Sequence, residues 1–179
     1  MSILEFKNVT YFYESGSKQV NILEDVDCSF EPGTLYTIVG PSGSGKTTTL
    51  TLAGALESPR GGHVYYQGKD IREIGYTTYR NRNIAIVFQA YNLLPYLTPL
   101  QNVLAAMEIT RNPIPDKKRQ AQDLLARMGL TPDQMKRNIN KLSGGEQQRV
   151  AIARALATND DILQADAPTG NQDADTAQG

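Results

Sequence analysis

The sequence has one cysteine, one histidine, no excess of charge of either sign and no long apolar run, and each shortage removes a class of function. Cys28 alone cannot close an internal disulfide, and its setting in Val26-Asp27-Cys28-Ser29-Phe30 reads as a small buried strand residue before a reactive thiol. With 18 basic against 19 acidic residues the net charge is -1, so no overall field draws the chain to nucleic acid or anionic lipid. No apolar stretch approaches the roughly 20 residues of a spanning helix. The N-terminus, Met1-Ser2-Ile3-Leu4-Glu5-Phe6-Lys7, lacks the basic-then-apolar pattern of a secretory leader. These features predict a cytoplasmic protein without direct membrane insertion, whose membrane role, if any, works through a partner. The lone His63 reads as a surface strand or turn residue.

A length of 179 residues suits one well-formed core, and 15 Gly with 9 Pro describe a soluble fold with many tight turns. We expect a single domain over 1–179. Apolar alternation at Leu4, Phe6 and Val9, then at Val26, Cys28 and Phe30, predicts antiparallel strands. Leu35-Tyr36-Thr37-Ile38-Val39 reads as a short strand that runs into a glycine loop, and helix spacing follows from Thr47 to Leu56. His63 to Gln67 and the apolar run Ile84 to Phe88 read as further strands, the second buried on both faces. Thr98-Pro99-Leu100-Gln101 and Thr131-Pro132-Asp133-Gln134 each carry an N-cap Thr, a Pro at N1 and a Gln at N3, so each predicts a helix start. Asp116 to Met128 reads as a helix closed by Gly129. Ser143-Gly144-Gly145-Glu146 is a third capping box, and Asp161 to Asp166 reads as a strand that ends in a carboxylate.

The loop Gly40-Pro41-Ser42-Gly43-Ser44-Gly45-Lys46-Thr47 fits the pattern of Gly, four residues, then Gly-Lys-Ser/Thr. Backbone without Cβ lets successive N–H groups converge on phosphate oxygens, and Lys46 can reach the β- and γ-phosphates. The following helix aims the positive end of its dipole at the same anion, while the Thr47 hydroxyl can ligate Mg²⁺. The expected ligand is ATP. A purely structural glycine turn is the competing reading, disfavoured because the loop sits between a strand and a helix.

The order of Gly40 to Thr47, Gln89 after a buried strand, Leu142-Ser143-Gly144-Gly145-Glu146-Gln147 and Asp166 resembles the ATP-binding cassette (ABC) ATPases. Ala165-Asp166-Ala167-Pro168-Thr169-Gly170-Asn171-Gln172-Asp173 is similar to a stretch of their macrolide-export and lipoprotein-release branch. The resemblance implies an α/β fold: a P-loop NTPase (RecA-like) core with an N-terminal antiparallel β portion and an inserted helical subdomain. The core would comprise 1–89 and 150–179, and the subdomain 90–149. It implies that Tyr13 stacks on adenine, with a plain strand tyrosine as the alternative. The phosphates would meet Gly40, Ser42, Gly43, Ser44, Gly45, Lys46, Thr47 and Thr48, and Mg²⁺ would meet Thr47, Gln89 and Asp166. Ser143, Gly144, Gly145 and Glu146 would address the ATP of a second copy in a head-to-tail homodimer, with Asp173 in the dimer loop. Membrane-spanning transporter subunits are the implied partners, and the chain would lie peripherally on the inner face of the cell membrane.

The family pattern is broken at Ala167, where it carries the Glu that orients or deprotonates the attacking water; a methyl group does neither. No histidine follows that could serve as the family's γ-phosphate switch. Gln164 and Gln172 stand where the family carries Leu, the first in a strand expected to be buried on both faces, and Gly179 precedes the family's next core strand and closing helices. Together these departures read as a truncated domain with impaired hydrolysis, whether by redesign or natural decay. The competing functional reading is a catalytically silent nucleotide-binding module, or a folding fragment, that acts only by ATP-dependent association.

Overall fold

The computed structural model describes residues 2–16, 18–110 and 115–166. The chain divides into two compact units, Met1–Arg80 and Asn81–Gly179. In the first, β1 (Leu4–Ser15) and β2 (Lys18–Phe30) form a long antiparallel hairpin. Further on, β3 (Gly61–Tyr66) pairs with β1, and β4 (Lys69–Asp70) pairs with β3. The strand order is β2-β1-β3-β4. The alternation read in the sequence is the alternation of burial: Leu4, Phe6 and Val9 are buried, and Val26, Cys28 and Phe30 are half-buried between exposed neighbours, so Cys28 is less enclosed than its setting predicted.

One helix, α1 (Lys46–Ala53), follows the glycine loop and buries Leu52. Two short helices, α2 (Ile71–Ile74) and α3 (Tyr76–Arg82), come next; the sequence reading missed both, together with β4. The turn between β3 and β4 places Gln67 and Gly68 at φ 48° and 79°, the two positive angles of a tight hairpin turn. Tyr79 of α3 is fully buried and donates its hydroxyl to the Ala53 carbonyl at 3.0 Å.

The expected strand at Leu35 to Val39 is not formed: it joins neither sheet, and Leu35 and Val39 are 94% and 81% exposed. β-Rich composition records how a segment would fit a sheet, and without a neighbouring ladder its N–H and C=O groups have nothing to pair with.

In the second unit, β5 (Ile84–Val87) and β6 (Ile162–Ala165) pair in parallel, Ile84 with Ile162 through Val87 with Ala165. Between them in sequence lie α4 (Pro99–Ile109), α5 (Lys117–Arg127) and α6 (Gly144–Leu156). Val103, Met107, Leu125, Ile139 and Val150 make their common core, and Ala151 and Ala155 of α6 pack on Ala85 and Val87 of β5. Asp116 caps α5, and Gly129 follows it at φ 81°, as the turn residues predict. The Thr131 capping box forms, with the Thr131 amide donating to Gln134 at 2.7 Å and the Gln134 amide donating back at 3.3 Å. It opens only a 3-10 turn, Gln134–Lys136, because a cap satisfies end groups but does not supply the apolar face that sustains a helix. Gln164 is buried while Leu163 is 52% exposed, so β6 is covered on one face where burial on both was expected.

Candidate functional site

The phosphate loop owes its shape to contacts that exclude side chains. Gly45, the residue before α1, has φ 85°, and a Cβ there would lie 2.9 Å from Leu23 Cδ2 and 3.2 Å from the Ile22 carbonyl. A Cβ on Gly40 would sit 2.6 Å from Ser44 Oγ. The loop closes through the Ser44 amide on the Pro41 carbonyl at 3.3 Å, with Gly43 at φ 82°. The Lys46 ammonium lies within the loop, donating to the carbonyls of Gly40 at 2.9 Å and Pro41 at 2.7 Å.

The start of α1 has no side-chain cap and no acidic residue in its first turn. Its first amides therefore have no internal acceptor, and the positive end of the helix dipole is not neutralised. Such a terminus beside a lysine suits a phosphate chain. Thr47 is exposed, whereas Thr48 faces inward and is buried. Ser42 is exposed on the same loop. Tyr13 in β1 is 47% exposed and meets Tyr11 edge to face at 5.1 Å, leaving ring surface for a flat ligand.

In the second unit, Gln89 is exposed two residues beyond the end of β5. The Asp166 amide donates to the Val87 carbonyl at 3.0 Å, extending the ladder by one step. Gln89 and Asp166 thus lie at the carboxyl ends of two adjacent parallel strands, where open α/β sheets place their ligands. Among the described residues no group of three His, Cys, Asp or Glu gathers to hold a metal. Mg²⁺ is consistent with that, since it is commonly held by one or two protein oxygens together with substrate phosphates and water. Ala167 and Asp173, like Gln172, lie outside the described residues.

At the signature, Ser143 caps α6 reciprocally: the Ser143 amide donates to Glu146 at 2.7 Å, and the Glu146 amide donates to Ser143 Oγ at 3.3 Å. The Ser143 amide lowers the Glu146 carboxyl from its ordinary pKa, with the Ser143 hydroxyl, Arg149 and Arg137 adding to the effect. Gln134 also donates to Glu146, at 2.5 Å. The box uses the third amide of the helix and leaves those of Gly144 and Gly145 in the exposed first turn.

Two residues that sequence reading did not single out act on the segment after Gln89. Arg154 of α6 donates to the carbonyls of Asn92 at 2.7 Å and Tyr91 at 2.9 Å. Asn102 of α4, 1% exposed, accepts the Leu94 amide at 2.8 Å and donates to the carbonyls of Leu94 at 3.2 Å and Thr98 at 3.1 Å. The one signal for Arg154 was its position as the lone charge in the apolar run Val150 to Ala157.

Comparison with known proteins bears on the same residues. A family profile described as ABC transporter matches residues 23–170. The chain is 48% identical over 178 residues to the uncharacterized ABC transporter ATP-binding protein YclH of Bacillus subtilis, covering 99% of this chain and 78% of that one. It is 41% identical to the lipoprotein-releasing system ATP-binding protein LolD of Pseudomonas fluorescens, with 99% and 79% covered. The dimeric structure of MJ0796, a bacterial ABC transporter cassette, superposes with a TM-score of 0.86 at 38% identity, over 96% of this chain and 77% of that one. A dimeric post-hydrolysis state of MJ0796 bound to ADP and Pi matches equally, with a TM-score of 0.86 at 37% identity and the same coverage. The fold is therefore that of the α/β phosphate-loop cassettes, and the chain belongs to the ABC transporter family as an ATP-binding subunit.

Proposed function

We propose that this chain binds Mg-ATP at residues 40–48 and couples ATP binding and hydrolysis to transport through membrane subunits, with hydrolysis impaired. The observation that carries the reading is the uncapped, acid-free start of α1, led by the left-handed Gly45 and accompanied by the Lys46 ammonium. An anion supplies what that terminus lacks. Tyr13 would stack on the adenine ring. Thr47, Gln89 and Asp166 would hold Mg²⁺, which when bound neutralises charge on the β- and γ-phosphate oxygens.

The amides of Gly144 and Gly145, with Ser143 and Glu146, would form a second anion-binding helix start serving the ATP of a second copy. MJ0796 is described as a dimer, and a head-to-tail homodimer here would close on two ATP molecules. Membrane-spanning subunits on other chains would receive that motion, and the chain would then lie in the cytoplasm against the inner membrane face. Among the described residues no helix is long and apolar enough to cross a membrane. Similarity to LolD supports a lipoprotein-release or macrolide-export type of system.

Thermal unfolding with and without Mg-ATP tests the site. Saturating nucleotide should raise the midpoint, by linkage of binding to folding, and Lys46→Ala should abolish the rise; absence of any rise in the parent chain refutes the reading. A second reading, a catalytically silent module acting by association alone, is favoured by Ala167 in place of the family Glu. A steady-state ATPase assay beside equilibrium ATP binding separates the two: slow turnover supports the coupled subunit, binding without turnover supports the silent module, and turnover at ordinary enzyme rates refutes the impairment that both share.

A further inference from the structure

The segment after Gln89 contains two consecutive residues in the left-handed region, Tyr91 at φ 60° and Asn92 at φ 47°. L residues hold that conformation only where their surroundings over-determine it. Two backbone bonds close the turn, the Tyr91 amide on the Phe88 carbonyl at 3.0 Å and the Asn92 amide on the Ala90 carbonyl at 2.7 Å. The carbonyls of these same two residues receive the two Nη groups of Arg154. A planar guanidinium can bridge two acceptors at a fixed spacing, which a lysine ammonium cannot match. Burial pushes the Arg154 group below its ordinary pKa, so its charge is held here against a desolvation cost, on backbone oxygens 62 and 63 residues away in sequence.

Three residues further on, Asn102 grips Leu94 at both its amide and its carbonyl. Tyr91 and Leu93 already pack against the apolar cluster of Ala85, Val87, Ala151 and Ala155. Packing alone would leave that backbone free to turn, whereas the polar side chains fix its orientation.

We propose that Arg154 and Asn102 are positioning residues that clamp residues 91–94 between α6 and α4, fixing the backbone that follows Gln89 against the helix bearing the signature. Its catalytic meaning rests on the assignment of Gln89 to the metal site; the clamp itself belongs to the nucleotide-free chain.

Amide hydrogen exchange on the full chain without nucleotide tests the clamp. Arg154→Met should speed exchange of residues 91–94 at least tenfold while α5 and β6 keep their protection. Arg154→Lys should give a partial rescue, and Asn102→Asp, which keeps the acceptor for the Leu94 amide but loses both donors, should loosen 94–98. Unchanged exchange at 91–94 in folded Arg154→Met overturns the proposal. So does a uniform rise through α6 and β6, which would make Arg154 an ordinary stability residue. Should Arg154→Met fail to fold, Arg154→Lys and Asn102→Asp decide by the same criteria. A parallel Mg-ATP titration keeps the two ideas apart: wild-type chain that binds no nucleotide defeats the proposed function, whereas nucleotide binding with unaltered exchange at 91–94 defeats the clamp alone.

Discussion

The Asp166 amide donates to the Val87 carbonyl at 3.0 Å, so β5 and β6 finish level with each other. The next residue after Asp166 is Ala167, and its chemistry follows from what a methyl group lacks. If hydrolysis fails for want of a carboxylate there, Ala167→Glu should raise steady-state ATP turnover by about 100-fold or more, the lower range of general-base contributions. Phosphate release measured beside the parent chain checks this, and equal rates would mean that the defect lies elsewhere.

Gly45 carries a second prediction. Its φ of 85°, and the 2.9 Å that would separate an alanine Cβ from Leu23 Cδ2, leave no room for a side chain. Gly45→Ala should cost about 1 kcal/mol or more of stability and should remove the nucleotide-dependent rise in melting temperature. Retention of the full rise would show that the loop does not need this geometry to hold phosphate.

Tyr79 tests the first unit. Its buried hydroxyl bonds the Ala53 carbonyl at 3.0 Å, and burial pushes the phenol well above its ordinary pKa. Tyr79→Phe removes the donor without changing the shape of the ring, and urea unfolding should show a loss of about 1–2 kcal/mol at unchanged m-value. A coincident midpoint would contradict the assignment.

Asp70 predicts a pH dependence. Burial raises its carboxyl pKa, but hydrogen bonds from Arg72 and His63 more than offset this and hold it well below the usual carboxylate range. Because the folded value lies below the unfolded one, the ionised group contributes stability at neutral pH, and the contribution fades as pH falls from about 4 toward the folded value. Urea midpoints should therefore decline on that acid limb, and Asp70→Asn should be less stable at neutral pH with a flatter limb. Parallel acid limbs for the two proteins would exclude Asp70 as a contributor.

The helix starts at Thr98 and Ser143 were legible because a capping box is local chemistry, complete within four residues. Thr131 shows the limit of that signal: the same box opens only a 3-10 turn, since the length of a helix depends on what its apolar face meets. The short elements from Lys69 to Arg82 escaped notice because strands and helices of two to seven residues carry too little periodicity to read.

By itself, the sequence determined the glycine loop, the order of motifs and hence the family, because loop shape and helix capping depend on residues adjacent in the chain. Tertiary structure alone decided that Leu35 to Val39 stays unpaired and exposed, and that Gln164 rather than Leu163 faces inward. It alone revealed that Arg154 and Asn102 hold the backbone after Gln89. Those contacts end on main-chain atoms, which every residue possesses, so the side chains of the segment give no sign of the partner that the fold brings to them.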